Sequence, residues 1–333
     1  MMFSRGRGDD GAAAKGPPVA KRTRFMEYKD RYPNYRFELS EEGILLMQCH
    51  TNGGSLVWDW KAHDDMSDAF ADVAGDREIK VLIHTGTGEN YNADWGRLPN
   101  GEWPEKPVYN LMPGVRGLHK LDEKAWYTRH LMENVLAVDV PMISVVNGPC
   151  NIHSEVPLMG DIVLASEDAW FQDVSHFPRG QVPGDGQHVI WNFLVGHNRG
   201  RYLLLTGKKL SAREALEWGA IAEVHPKDKV LDRAWELARE LAKRPPLVLR
   251  YTRQLFTQEL KRVFLNELGH GLARETYAQQ AFFPFGGGME PLDRAWDAEP
   301  WSTADGASGK PHSSSREIAD HVTTSEPERK RSR

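Results

Sequence analysis

Hydrophobic and polar positions follow two different periods along this chain. Two apolar runs, Tyr35 to Leu39 and Ile44 to His50, flank the turn sequence Ser40-Glu41-Glu42-Gly43, which predicts a β-hairpin. Between Trp60 and Val73 the apolar residues recur every three or four positions, which predicts a helix. Three later apolar runs are short and predict buried strands: Ile79 to His84, Met142 to Val146 and Ile162 to Ala165. Alternating strands and helices of this kind indicate an α/β fold.

Helical periodicity dominates the second half of the chain. Ser211-Ala212-Arg213-Glu214 has the sequence of a capping box and predicts a helix that ends at Trp218-Gly219. Strong helical periodicity follows from Leu231 to Lys243 and, after the break at Pro245-Pro246, from Leu247 to about Gln280. We therefore expect an α/β core followed by a helical C-terminal region.

Composition divides the chain into four predicted segments. Residues 1–26 and 285–333 are rich in Gly, Pro, Ser and charge and could not bury a core, so we expect disordered tails there. The core is expected at 27–225 and the helical region at 226–284. An irregular stretch at 91–124 interrupts the core, and a loop of that length is typical of a lid.

Charge and composition exclude several classes of protein. The chain has 42 basic and 47 acidic residues and a net charge of −5, which does not favour nucleic-acid binding. No apolar stretch approaches the roughly 20 residues needed to span a bilayer. Cys49 and Cys150 form no CxxC, so neither a disulfide framework nor a zinc site is expected, and a reducing, cytoplasmic location fits. The histidines lack HExxH spacing, and Gly86-Thr87-Gly88 is too short for a phosphate loop, so we expect no cofactor.

Ionisable residues concentrate in the loops between Val145 and His188. Loops at strand ends are where α/β folds usually place their chemistry. The residues concerned are His153, Glu155, Asp161, Asp173, His176 and Asp185.

Three segments of this region resemble the central signature of the crotonase (enoyl-CoA hydratase/isomerase) superfamily. They are Val140 to Gly148, Asp161 to Ala169 and Val182 to Gly186, and Leu204 to Gly207 with Ala215 to Val224 resembles the next block. The resemblance runs from about residue 35 to 280. It implies a crotonase-like ββα spiral core with a helical C-terminal trimerisation region, and a homotrimer or a dimer of trimers.

Two departures argue against ordinary CoA-thioester hydration. Asn151-Ile152-His153-Ser154 replaces the glycine run whose backbone N–H groups hold a thioester oxygen in the superfamily, and only small residues allow so close an approach. Val156 and His176 stand where the glutamates of a hydratase would be expected.

Both departures are shared with one branch of the superfamily, that of 6-oxocamphor hydrolase and related β-diketone hydrolases. The resemblance implies CoA-independent cleavage of a carbon–carbon bond in an apolar, cyclic β-diketone to give a keto acid. The predicted lid looks longer than in that branch, which leaves the identity of the diketone open. The shared segments are Ser55 to Trp58, His153 to Pro157, Phe171 to Asp173, His176 to Pro178, Val182 to Gly186, Asn198 to Tyr202 and Gly271 to Glu275.

Such a retro-Claisen cleavage needs a base to activate water and donors for developing oxyanions. His176 is the candidate base, because an ordinary histidine pKa of about 6.5 suits proton transfer near neutral pH. Asp185 would accept its other ring proton, a pairing that the resemblance also implies. His153, in place of a glycine, would donate to a ketone oxygen or to the enolate formed from it.

Other candidate residues carry weaker arguments. The Trp58 indole N–H could bind a substrate carbonyl, with core packing as an equal alternative. The resemblance suggests a polar role near the site for Glu275. Asp161 and Asp173 are interpreted as structural, and Glu155 as a supporting hydrogen-bond partner. Three histidines receive no partner at this stage: His63, His188 and His270.

Two alternatives remain open from the sequence. One is a CoA-dependent hydratase, isomerase or thioesterase of the same fold, for which CoA binding would be diagnostic. The other is a non-catalytic crotonase-fold scaffold whose tails recruit partners.

Overall fold

A six-stranded sheet lies at the centre of the molecule. The computed structural model describes residues 22–95, 118–179 and 181–282. The strands within them are β1 (Tyr35–Leu39), β2 (Ile44–Cys49), β3 (Val57–Trp58), β4 (Val81–Thr85), β5 (Asp94–Trp95), β6 (Met142–Val146), β7 (Ile162–Ser166), β8 (Trp170–Phe171), β9 (Leu210–Ser211) and β10 (Glu223–His225). The central sheet has the order β1-β2-β4-β6-β7-β10, in which β1 and β2 are antiparallel and the other pairs parallel. Two small sheets pair β3 with β5 and β8 with β9.

Helices follow most of these strands. They are α1 (Phe25–Tyr28), α2 (Trp60–Gly75), α3 (Leu118–Ala137), α4 (Glu155–Leu158), α5 (Gln187–Val195), α6 (His197–Thr206), α7 (Ala212–Trp218), α8 (Val230–Ala242) and α9 (Pro246–Phe282), with a 3₁₀ turn at Phe177–Arg179. The Asp59 side chain caps α2, and Ser211 forms the predicted capping box of α7 with Glu214. Pro246 is the first residue of α9. Proline is tolerated there because a backbone N–H at the first position of a helix has no acceptor within the helix.

The sheet is buried on both faces. All five residues of β4 and of β6 are buried, as expected when helices cover both sides of parallel strands. Alternate side chains point to opposite faces, so Leu82 and Met142 join one core cluster while Val81 and Ile143 join the other. Each such side chain contributes about 1.5–3 kcal/mol by its burial. Helix α8 closes the second cluster with small side chains one turn apart: Ala234, Ala238 and Ala242.

Two buried arginines fix α9 to the core. Arg253 donates from Nε to Asp161 Oδ2 at 2.6 Å, and the same oxygen accepts from the backbone N–H of Met142 at 2.7 Å. Arg250 donates to the carbonyl oxygen of Ile79 at 2.9 Å. Asp161 therefore has the structural role expected for it, and the start of α9 is held against the sheet.

The α/β class and the crotonase-like architecture are confirmed, whereas element bounds differ by a few residues from those predicted. Helix α1 begins inside the predicted N-terminal tail, because Tyr28 is buried and donates from its hydroxyl to Asp76 Oδ2 at 2.9 Å. Most of the predicted lid, at 96–117, lies outside the described residues, as do 1–21 and 283–333. All the described residues belong to one compact unit. Among these residues, no helix is long and apolar enough to cross a membrane.

Candidate active site

His176 lies between two carboxylates. It sits in the segment that leads from β8 into the 3₁₀ turn, where Pro178 and the turn fold the chain back. Its Nδ1 is 2.9 Å from Asp173 Oδ1, and its Nε2 is 3.2 Å from Asp185 Oδ2. The predicted partner Asp185 thus contacts His176, and a second partner, Asp173, holds the other side of the ring.

His153 makes a similar contact with Glu155, the first residue of α4. Its Nδ1 is 2.5 Å from Glu155 Oε1, so the predicted supporting hydrogen bond of Glu155 is confirmed. His153 has a φ of +49°, in the left-handed region that costs a side chain about 1 kcal/mol and favours glycine. The backbone at this position therefore has a glycine-like conformation, although the residue is histidine.

Asp185 joins the two histidines into one cluster. Its Oδ2 lies 3.2 Å from His176 Nε2 and 3.7 Å from His153 Nδ1. Glu275, from α9, places Oε1 at 4.0 Å from His176 Nε2. All of these carboxylates are buried, and Glu155 is fully so. The site therefore concentrates negative charge away from water, where charges are costly unless paired.

Burial and nearby carboxylates have opposite effects on the pKa values of the two histidines. Burial lowers the pKa of His176, but the nearby charges and hydrogen bonds of Asp173 and Asp185 outweigh burial and hold it well above its ordinary value. The pKa of His153 is raised in the same way, since Glu155 and Asp185 oppose the effect of burial. Burial raises the pKa of the Glu155 carboxyl. The two histidines thus bind their protons more tightly than free imidazole does.

Two aromatic rings from the other side of the site face His153. The Trp58 ring, on β3, has its centroid 4.7 Å from that of His153. The buried His63 ring, on α2, lies 5.6 Å from His153 and 5.7 Å from Trp58. The rings of Trp58, His63 and His153 therefore form one cluster beside the carboxylates.

Glycine allows α9 to approach the loop before α5. A Cβ at Gly184 would lie 2.2 Å from the carbonyl oxygen of Gly271, and a Cβ at Gly271 would lie 2.4 Å from that of Gly184. No side chain could occupy either position without moving backbone. This contact brings Glu275, one turn beyond Gly271, to the cluster.

Three features of the site escape the sequence analysis. The structural interpretation of Asp173 omits its contact with His176, although their i, i+3 spacing was a usable signal. His63 was also missed. It shares a face of α2 with Met66 and Phe70, and a histidine on such an apolar face was a usable signal in the sequence. Val156, interpreted from the sequence as standing where a hydratase has a glutamate, is buried in the main core, and Glu155, one residue earlier, contacts His153.

The other histidines have structural contacts. His188 Nδ1 is 2.8 Å from the carbonyl oxygen of Pro183, and His270 Nε2 is 3.4 Å from Arg274 Nε. Two groups of side chains have ligand atoms within 4.8 Å of one another and could hold a metal ion: His153 with Glu155 and Asp185, and His176 with Asp185 and Glu275.

Two backbone N–H groups just before His153 are engaged within the protein. The N–H groups of Asn151 and Ile152 both donate to the carbonyl oxygen of Asn92, at 3.1 Å and 3.2 Å. Backbone donors engaged in this way are not available to a thioester oxygen.

Comparison with known proteins agrees with this fold. The family profile of enoyl-CoA hydratase/isomerase matches residues 109–281. A β-diketone hydrolase from Anabaena sp. PCC 7120, solved with bound (S)-3-oxocyclohexyl acetic acid, is 41% identical, with 77% of this chain and 96% of that one covered at a TM-score of 0.69. An enoyl-CoA hydratase from Mycobacterium avium subsp. paratuberculosis K-10 is 22% identical over 82% of this chain and 99% of that one, with a TM-score of 0.62, and supports the fold alone.

A relative with a different activity is also similar. Carnitinyl-CoA dehydratase of Salmonella paratyphi B is 29% identical over 200 residues, which cover 60% of this chain and 71% of that protein. Fold and site together define an enzyme of the crotonase type. The chain belongs to the enoyl-CoA hydratase/isomerase family.

Proposed function

We propose that the protein is a carbon–carbon bond hydrolase that cleaves an apolar, cyclic β-diketone to a keto acid without CoA. The observation that carries this proposal is the buried cluster in which Asp185 contacts both His176 and His153. It supplies a base and an oxyanion donor, each within 4 Å of the same carboxylate oxygen, Asp185 Oδ2. The β-diketone hydrolase similarity, at 41% identity, supports the same chemistry.

The reaction follows from the roles of these groups. Water attacks one ketone carbon and gives a proton to His176, whose imidazolium is stabilised by Asp173 and Asp185. The carbon–carbon bond then breaks, and its electron pair forms the enolate of the second ketone. His153 donates from Nε2 to that oxygen, an interaction typically worth about 2.7–4 kcal/mol in the transition state. The enolate carbon takes up the proton from His176, which completes a keto acid.

Trp58 and Glu275 complete the proposed site. The Trp58 ring packs against His153, so its indole N–H can donate to a substrate carbonyl while the ring contacts the apolar body. Glu275 lies beside His176 Nε2 and adds to the charge that holds the imidazolium. No step needs a metal or an organic cofactor.

The direct test is turnover of a panel of mono- and bicyclic 1,3-diketones, measured by loss of enol absorbance. The wild-type chain should cleave at least one, and His176→Ala should lower kcat by about 10²–10⁴-fold because a general base is lost. His197→Ala, which removes an exposed histidine at the start of α6, is the matched control and should keep the wild-type rate. Wild-type turnover in His176→Ala would refute the role of His176.

The alternative is a CoA-thioester enzyme. The similarity to carnitinyl-CoA dehydratase and the presence of Glu155 in the site favour it. Tight binding of CoA in a calorimeter, together with no cleavage of any diketone, would support it over the hydrolase.

A further inference from the structure

Gln187, the first residue of α5, is 1% exposed, and its side chain contacts Glu155 while its backbone N–H donates to Asp185 Oδ1 at 3.5 Å. Its Oε1 faces two donors, Trp191 Nε1 at 3.0 Å and Ser154 Oγ at 3.0 Å. An indole N–H can only donate, so the amide must present its oxygen to Trp191. The orientation of the Gln187 amide is therefore fixed by its surroundings.

The other end of the amide is fixed as a consequence. Nε2 of Gln187 donates to Glu155 Oε2 at 2.5 Å. Because Glu155 Oε2 accepts this hydrogen bond, Oε2 cannot carry a proton directed at Gln187 Nε2. Any proton that Glu155 shares must lie on Oε1, along the 2.5 Å line to His153 Nδ1.

We propose that Gln187 is a positioning residue for His153: by donating to Glu155 it keeps Glu155 ionised, with Oε1 accepting from His153 Nδ1, so that the ring stays doubly protonated and Nε2 can donate at its far side. The proposal rests on the proposed function, in which His153 Nε2 donates to the enolate oxygen. The chain of contacts runs from Trp191 through Gln187 and Glu155 to His153.

The charges around His153 make this support necessary. Glu155 and Asp185, at 2.5 Å and 3.7 Å from Nδ1, favour the protonated ring. The charge of His176 opposes it, and the His63 ring packs on the remaining side. Burial raises the pKa of Glu155, and a hydrogen bond to the ionised form offsets this effect. Without Gln187, Glu155 would be neutralised more readily and His153 would lose its charge partner.

A purely structural role makes a different prediction. Gln187 also satisfies buried Trp191 and Ser154, so its loss would lower stability in either case. Only a positioning role changes the titration of His153 in a protein that remains folded.

The test uses Gln187→Met, which keeps the length of the side chain and removes both polar ends. Histidine Cε1 NMR signals of the full chain are titrated with pH, and the His153 signal is assigned by its absence in His153→Asn. The pKa of His153 should fall by about one unit, because one charge-stabilising interaction is lost. With the best diketone, kcat should fall about tenfold and KM should change less than about threefold.

Two further variants make the test decisive. Gln48→Met removes the amide of a half-buried glutamine on β2, which donates to the carbonyl oxygen of Gly86, and should leave the His153 titration at its wild-type position. Glu155→Gln should lower kcat as much alone as in combination with Gln187→Met, since residues that act through one another are not additive. If Gln187→Met fails to fold, Gln187→Asn, whose shorter amide cannot reach Glu155 and Trp191 together, replaces it.

A wild-type His153 titration in the folded variant, or additive losses in the double variant, would overturn the proposal. The titration needs no substrate. Absence of diketone cleavage by the wild-type chain would therefore refute the proposed function separately, without altering this measurement.

Discussion

His176 has two carboxylate neighbours, and they are not equivalent. Asp185 also contacts His153, so its charge is shared between two rings. Of the two histidines, Asp173 contacts only His176, at Nδ1; its Oδ1 also accepts from the backbone N–H of Ser175, and its Oδ2 has no hydrogen-bond partner. Asp173 is thus the residue through which the basicity of His176 can be changed with least effect on His153.

This difference gives a prediction for pH dependence. The proposed reaction needs His176 without its proton and His153 with one, so kcat/KM should follow a bell-shaped curve. The pKa values of both histidines are raised, so both limbs should lie above pH 6.5, about the ordinary histidine value. Asp173→Asn removes a charge that raises the pKa of His176 and should move the optimum to lower pH.

The measurement is kcat/KM from pH 5 to 10 for wild-type and variant. Asp168→Asn, which removes a half-exposed acidic group in the turn after β7, where it pairs with Lys227, is the control and should leave the optimum in place. An optimum that stays or rises in Asp173→Asn would contradict a role for Asp173 in setting the basicity of His176.

The sequence predicts the histidines better than their partners. His176, Asp185 and His153 stand out because they occupy loops at strand ends within family-like segments. Asp173 and Glu155 could not be ranked in the same way, since the direction of a loop carboxylate depends on one or two backbone dihedrals. His63 comes from α2, about ninety residues before His153, and only tertiary packing brings the two rings together.

At the scale of elements, the approach of α9 to the loop before α5 decides the geometry of the site. Gly271→Ala should push these backbones apart, because the new Cβ would lie 2.4 Å from the Gly184 carbonyl oxygen and from His188 Cε1. We expect a loss of stability of about 1–3 kcal/mol and a fall in kcat/KM, as Glu275 moves away from His176. Thermal unfolding at fixed protein concentration and diketone kinetics measure the two effects.

Gly269, in the same helix, is the matched control. A Cβ there would meet no atom within 4 Å, so Gly269→Ala should stabilise the helix by about 0.5–1 kcal/mol. Equal effects of the two substitutions would mean that helix propensity, rather than the contact with Gly184, governs both.

Elements themselves were largely predictable. Their apolar spacing fixes β2, β4, β6, α2 and α8 with only small errors at the ends. Two features were not predictable: the left-handed backbone at His153, and the contact of α9 with the loop before α5. Both depend on the space between segments that are distant along the chain.

At the scale of the molecule, α9 presents a row of apolar side chains to solvent. Val248, Tyr251 and Leu255 are spaced by three and four residues and so share a face, and Leu255 is 71% exposed. Surfaces of this kind usually mark an interface. We propose that they are buried between copies in a trimer or a dimer of trimers, as the family resemblance implies.

Leu255→Glu should weaken this assembly, because a buried carboxylate without a partner is costly. Light scattering should give three or six times the 37.7 kDa of one chain for the wild type and a smaller mass for the variant. Asn198→Asp adds the same charge at an exposed position of α6, outside this row of side chains, and should keep the wild-type mass. A wild-type chain that runs as a monomer would refute the proposal.

The fold class was accessible from the sequence because strand and helix periods alternate and the family-like segments span most of the core. The two-faced burial of the sheet also follows from its continuous apolar strands. The assembly of the cluster from β8, α4, α5 and α9 was not accessible, since contacts so distant along the chain are set by the packing of the whole.

The position of Glu275 near the C-terminal end of α9 also affects when the site can assemble during synthesis of the chain. A ribosome makes the chain from its N-terminus, so Trp58, His153, His176 and Asp185 emerge and can begin to fold before the residues of α9 exist. Only when α9 has been synthesised and has docked at Gly184 does the last carboxylate join the others. Under the proposed roles of these residues, we therefore expect activity only after α9 has been made and has docked, when all strands of the sheet have already been synthesised.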